Sequence, residues 1–262
     1  MTNEDFIYHY TTHEAAFSIL AEQKLRLSNL HHLNDRGEYI FTFEYLGEYI
    51  KKRIEQNDQI LNLVLTELEN YIEKIKHMRT SICVACFSTG KDDAAQWYRY
   101  AKRGEGVCIS FKTKKLQEIM NDKHGNILPV KYGDEDLVYT ELDSAIRFLE
   151  SQAKEGKFLS RTMADPLPKI ATFIKAKAFD SEKEFRLAMY GCGWPSYKFS
   201  FRDNSLIPYI ELPITLDCVS EVILGPLASN ESRAAWELNL DILHRGGRSP
   251  ITVARSKTRL KN

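Results

Sequence analysis

The sequence predicts an α+β fold built on a mixed or mainly antiparallel central sheet. Three observations carry this. Short apolar runs of strand character are interspersed with helical stretches rather than alternating strictly with them. Residues 81–88, with Cys83, Val84, Ala85, Cys86 and Phe87, form a continuous apolar run like a buried strand. The chain from about residue 182 onward turns to β character. With 43% hydrophobic and 11% aromatic content over 262 residues, the chain is long enough to bury a substantial core, so one domain is expected over 1–262.

The elements follow in order. Residues 6–10 alternate as a short strand. A helix opens after Thr12, a candidate N-cap, with Ala16, Ile19 and Leu20 on one face. A second strand is expected over 25–28, then a long helical stretch over about 39–77, broken near Gln56, Asn57 and Asp58 and read as an inserted pair of helices. After the 81–88 strand come a helix over 94–100, a buried strand over 106–111, a short helix over 114–121 and a strand over 127–132. A second helical insertion is expected over about 134–176, interrupted at Asp165, Pro166, Leu167 and Pro168. Strands are then expected over 182–190, 207–212, 218–224 and 251–255, with a helix over 229–243.

Lysine plus arginine equals aspartate plus glutamate at 36 each, which leaves no global field to hold nucleic acid or an anionic membrane. Any such partner must meet a local patch. The tail from His244, with Arg245, Arg248, Arg255, Lys257, Arg259 and Lys261, is one such patch, and a solvated, frayed terminus accounts for its charges as well. The five cysteines are odd in number and sit mostly in apolar surroundings, as reduced buried thiols do. Cys83 and Cys86 are spaced C-x-x-C, but without a second pair or a histidine spacing no metal is expected. The N-terminus has no basic and apolar leader pattern, and no apolar run reaches membrane-spanning length, so a cytoplasmic protein is expected.

The run 182–190 is the most informative stretch. Period-2 alternation sets Glu182, Glu184 and Arg186 on one face and Phe185, Leu187 and Met189 on the other. Like charges on one strand face repel, so the arrangement asks for either a solvated edge with a surface ion pair or a polar pocket. His9 lies at a strand end between Tyr8 and Tyr10 and ahead of Thr11 and Thr12. It is either a structural histidine or an imidazole offered to a ligand's ribose or phosphate. Asp35 and Glu38 have capping-box spacing. Ser88 ends the buried strand, and Trp97 and Tyr100 are three apart on the following helix, as core or as a ring-stacking platform.

Seven short motifs occur in order: Tyr8-His-Tyr-Thr11, Leu33-Asn-Asp-Arg-Gly-Glu38, Cys86-Phe-Ser88, Trp97-x-x-Tyr100, Gly106-Val-Cys-Ile-Ser-Phe111, Glu182-x-Glu-Phe-Arg186 and Ile223-Leu-Gly-Pro226. Together they resemble a widespread bacterial family known only as a domain of unknown function. That family is in turn distantly similar to ADP-ribosyltransferases, including nucleic-acid-modifying toxins. The resemblance implies a split central sheet, NAD as substrate, and a macromolecular acceptor, RNA, DNA or protein. It places His9, with Tyr10 and Thr11, on the nicotinamide-side ribose. Glu184 would stabilise the oxocarbenium-like charge, Glu182 would orient or deprotonate the acceptor, and Arg186 would bind pyrophosphate or hold Glu184. Ser88 stands in for a missing Ser-Thr-Ser strand motif, and Trp97 and Tyr100 would flank the nicotinamide. The implied biology is a toxin or antiphage effector, with an antitoxin as a further partner. A non-catalytic ligand- or partner-binding module of such a system is the alternative, and a metal-dependent hydrolase using Asp35, Glu38, Glu182 and Glu184 is a third reading.

Overall fold

The computed structural model describes residues 5–33, 45, 82–121, 123, 125–155, 170–192, 196–202 and 204–259. The expected helices over 39–77, the Asp35/Glu38 cap and the Asp165–Pro168 interruption lie outside the described residues, apart from Tyr45. The described residues fall into two compact units, one drawn from 1–27, 83–129 and 182–262, the other from 28–82 and 130–181.

The first unit carries most of a ten-stranded sheet. In chain order its elements are β1 (Phe6–Thr11), α1 (His13–Glu22), β2 (Lys24–Asn29), β3 (Cys83–Ser88), α2 (Ala94–Tyr100), β4 (Val107–Lys112), α3 (Thr113–Asn121) and β5 (Gly125–Pro129). After the residues of the second unit come β8 (Glu184–Met189), β9 (Lys198–Arg202), β10 (Ser205–Pro213), β11 (Val219–Leu224), α5 (Glu231–Leu243) and β12 (Thr252–Arg255). The strand order is β12-β11-β4-β1-β3-β2-β10-β9, with β8 pairing β3 and β5. Of the registered pairs in this sheet, only β11 with β12 is parallel. The mainly antiparallel α+β sheet is therefore as expected.

Thr12 caps α1 as the sequence predicts, its hydroxyl accepting the Ala15 N–H at 3.2 Å. The principal core lies on the sheet face that carries Ile7, Phe87, Ile109, Phe111 and Phe185, packed with Ala16 and Leu20 of α1, Leu116 of α3 and Trp236 and Leu240 of α5. The opposite face carries a smaller cluster of Tyr10, Trp97, Ala101, Cys108 and Ile223.

The sheet has a seam between β1 and β3. β1 pairs β4 along all six of its residues, but it meets β3 through one register pair, Tyr8 with Ser88. Beyond it the His9 ring reaches across, its Nδ1 2.9 Å from the Cys86 carbonyl. A side chain thus takes the place of a ladder bond, and the sheet divides there into a β12-β11-β4-β1 half and a half built around β3.

The second unit contains β6 (Lys131–Gly133), α4 (Glu135–Lys154) and β7 (Ile174–Ala176), with β6 and β7 paired in parallel. Its buried residues include Val138, Leu142, Phe173 and Ile174. Two expectations are corrected here. The end of the 134–176 insertion is a strand, because Ile174–Ala176 finds a partner in β6. The single strand expected over 127–132 is two, separated at Val130 and belonging to different sheets.

Candidate functional site

β8 is flanked on both edges, by β3 along its full length and by β5 from Phe185 to Met189. It is not the solvated edge that a surface ion pair needs. Glu184 is 6% exposed and Arg186 3%. Arg186 donates from Nε to Glu184 Oε1 at 2.6 Å and from Nη2 to Oε2 at 2.9 Å, a two-pronged charge-assisted pair between residues on the same strand face. Two buried charges of opposite sign survive in a sheet only as such a matched pair.

The expectation that Glu182 shares this strand face is corrected. Glu182 closes a 3-10 turn (Lys177–Glu182), and Lys183 takes a left-handed backbone at φ 47°, so the alternation begins at Glu184. Glu182 is nonetheless buried at 7% exposure and is drawn into the same polar group from α2. Its Oε1 accepts from Arg99 Nη1 at 3.2 Å and from the Tyr100 hydroxyl at 3.1 Å. Its backbone carbonyl accepts from Ser88 Oγ at 2.8 Å and Gln96 Nε2 at 3.0 Å. The turn into β8 is thus fastened to the end of β3 and the start of α2, and the Lys183 carbonyl takes the Thr89 N–H at 2.9 Å.

Register brings the remaining pieces together. Tyr8 opposes Ser88 and Ser88 opposes Glu184, so residues far apart in sequence form one row on one face, about 10 Å from end to end at two strand spacings. Neighbouring His9 has the opposite facing along β1, and its ring is turned into the seam, 5.6 Å from the Phe87 ring. A carbonyl only accepts, so Nδ1 carries the proton toward Cys86 and Nε2 keeps its lone pair. Burial lowers the His9 pKa, with the Cys86 carbonyl working in the other direction, which keeps the ring neutral near pH 7. Thr11 is half-buried on the same facing as His9.

Two sequence candidates hold structure together. Trp97 is fully enclosed, its ring edge-on to Tyr10 at 4.9 Å, and its Nε1 donates to Asp92 Oδ1 at 2.7 Å. The Tyr10 hydroxyl donates to the Gly90 carbonyl at 2.7 Å and accepts the Asp93 N–H at 2.9 Å. Burial, with nearby Cys108 adding to it, drives the Tyr10 phenol far above its ordinary value. Tyr10 and Trp97 therefore fix the loop between β3 and α2, while Tyr100, three residues on, faces Glu182. The core reading holds for Trp97, whereas Tyr100, at 37% exposure, ends on Glu182.

Gln96, Arg99 and Asp92 are parts of this arrangement that the sequence reading passed over. Gln96 carried a signal, a large polar residue next to Trp97 in a seven-residue helix. Asp92 and Asp93 carried another, since an Asp pair before an apolar helix start marks a cap, and Asp93 Oδ1 takes the Ala95 and Gln96 N–H groups. Cys83 and Cys86 are three apart on a strand and face opposite ways, so they cannot close on one metal. No group of metal-holding side chains occurs among the described residues, and no helix among them is long and apolar enough to cross a membrane.

No curated protein matches the chain. Similar solved structures include Thermus sp. 2.9 DarT in complex with NAD+, at 10% identity over 96% of this chain and 96% of that one, TM-score 0.36. The same protein in complex with ADP-ribosylated ssDNA is similar at 11% identity over 97% and 96%, TM-score 0.37. The expected likeness to a domain of unknown function is met over part of the chain: residues 96–187, which hold Gln96, Tyr100, Glu182, Glu184 and Arg186, match the family described as protein of unknown function (DUF2971).

Proposed function

We propose that the chain is an NAD-dependent mono-ADP-ribosyltransferase-like enzyme, a cytoplasmic toxin or antiphage effector that modifies a nucleic acid or a protein and is restrained by an antitoxin. The observation that carries this reading is the Tyr8–Ser88–Glu184 row at the seam, with His9 beside it. It supports the reading because β3 alone separates β8, which carries the rigid Glu184 carboxylate, from β1, which carries the neutral His9 imidazole.

The residues fit the group chemically. His9 Nε2 accepts a hydrogen bond from a ribose hydroxyl, with Thr11 beside it. Glu184, fixed by Arg186, stabilises positive charge at the ribose C1′ as the C1′–N bond breaks and nicotinamide departs with the electron pair. Glu182, held by Arg99 and Tyr100, orients the acceptor and takes its proton as the acceptor bonds to C1′. Ser88 braces the Glu182 turn, Tyr100 borders the site, and Tyr10 and Trp97 support it through the 89–93 loop.

Incubation with labelled NAD and cell extract tests the proposal. The expected result is transfer of label with nicotinamide release, lost in Glu184→Gln. Absence of both labelling and nicotinamide release with the wild type would refute it. One observation favours a non-catalytic binding module instead: both carboxylate oxygens of Glu184 are already engaged by Arg186. In that case NAD or another ligand raises the thermal midpoint without turnover.

A further inference from the structure

The outer end of α2 and the turn after it alternate rings with cations: Tyr98-Arg-Tyr-Ala-Lys-Arg103. The strip starts at the candidate site, where Arg99 and Tyr100 both end on Glu182, and runs outward. Tyr98 is 58% exposed and Tyr100 37%, and the Arg103 guanidinium lies 5.9 Å over the Tyr98 ring. In a chain with no net charge, such a strip is a local field with stacking surfaces set into it.

Its backbone gives a second, independent sign. Lys102 and Arg103 are both left-handed, at φ 48° and 54°, and Gly104 follows at 94°. Side-chain-bearing residues hold such conformations only where their surroundings impose them, and they concentrate at functional sites. The imposition is visible: the Gly104 and Gly106 N–H groups both donate to the Ala101 carbonyl at 2.9 Å, and the Leu227 N–H donates to the Gly104 carbonyl at 2.9 Å. Gly225 sits so close that a Cβ there would be 2.2 Å from the Gly104 oxygen. A clamped backbone thus points two cationic side chains into solvent.

The basic tail meets α2 from its other end, through the 89–93 loop. Asp92, which holds Trp97 of α2, also accepts the Lys257 N–H at 2.7 Å and the Thr258 N–H at 3.2 Å, so Lys257 is anchored beside the 89–93 loop instead of fraying.

We propose that this strip docks a single-stranded nucleic acid, with phosphates on Lys102, Arg103 and Lys257 and bases stacked on Tyr98 and Tyr100. A single strand offers charge and ring faces in alternation, which the strip matches, and stacking on exposed rings is indifferent to sequence. The exposed Lys102–Glu105 pair, at 3.5 Å, exchanges its carboxylate for phosphate. This inference rests on the transferase reading for what the docked strand receives, and not for the docking itself.

Fluorescence anisotropy of the full chain with labelled mixed-sequence DNA and RNA single strands of about 20 nucleotides, at about 50 and 200 mM salt, tests it. Wild type is expected to bind and to weaken about tenfold over that salt range. Lys102→Glu with Arg103→Glu should weaken binding about tenfold and flatten the salt dependence, with the unfolding midpoint unchanged. Tyr98→Ala should weaken it about fivefold or more, and carries the test if the double variant does not fold. No binding to either strand at the lower salt, or variants that bind like wild type, would overturn the proposal. Binding without any NAD turnover would support the strip while removing the transferase reading.

Discussion

Arg186 and Glu184 lie two residues apart on one strand and share two hydrogen bonds, at 2.6 and 2.9 Å, inside a sheet that pairs β8 on both edges. The energetics of such a pair are asymmetric. Removing one partner leaves the other charged and buried, at a cost of about 3–5 kcal/mol, whereas replacing both with apolar side chains of similar volume is far milder. Arg186→Met alone should therefore lower the urea unfolding free energy by about that amount, and Glu184→Leu with Arg186→Met should recover most of it. A double variant no more stable than the single would show that neighbouring polar groups, not the pair, hold β8 in place.

Trp97 divides packing from ligand contact. Fully enclosed against Tyr10 and bonded to Asp92, it should cost about 3–5 kcal/mol when changed to Ala. Changed to Phe it keeps much of the volume and leaves Asp92 short of one donor, at about 1–2 kcal/mol. NAD affinity in Trp97→Phe should follow stability only. A large affinity loss in a variant of unchanged midpoint would make the indole a ligand contact after all.

Much of this was readable from local pattern. The continuous apolar run of β3, the Thr12 cap and the Ala94–Tyr100 helix all express forces that act within a few residues, and they lie where the sequence places them. What pattern could not give depends on distant partners. The left-handed Lys183 that ejects Glu182 from β8 is set by the Thr89 bond to its carbonyl, and no neighbour in sequence announces it. Ile174–Ala176 is a strand because β6 lies beside it. The same holds at the site: the acidic residues and Arg186 were legible as a polar cluster, but Arg99 reaches Glu182 across 83 positions of sequence.

Two histidines make acid sensitivity a direct test of burial. His9 is lowered by burial, and His31 is lowered to about 4 by burial and the nearby His32 cation. In each case the unfolded chain takes up a proton near the ordinary value of 6.5 while the native state resists it. The native state is thus fully favoured above pH 6.5 and loses stability as pH falls toward the lowered native values. Each histidine contributes a slope of up to about 1.4 kcal/mol per pH unit in that window. Urea unfolding between pH 7.5 and 5 should show this fall, and His9→Gln should flatten it by about one proton. A wild-type stability constant over that range would mean that the His9 ring takes a proton in the folded protein as readily as in the unfolded one.

Asp92 ties the C-terminal segment to the loop ahead of α2. Burial opposes its charge, but donors from Ser256, Trp97, Lys257 and Thr258 outweigh burial and hold its carboxyl below the ordinary value. Its backbone is left-handed at φ 60°, a conformation that Asn also accepts, so Asp92→Asn changes the charge and leaves the turn feasible. Replacing a charged acceptor of several hydrogen bonds with a neutral one should cost about 1.5–3 kcal/mol. It should also free the segment after β12, so that trypsin cuts at Lys257 well before the β12 strand is lost. Cleavage at Lys257 that is equally fast in wild type would show that the Asp92 bonds do not hold the tail in solution, and the lysine would then have no fixed place beside the loop.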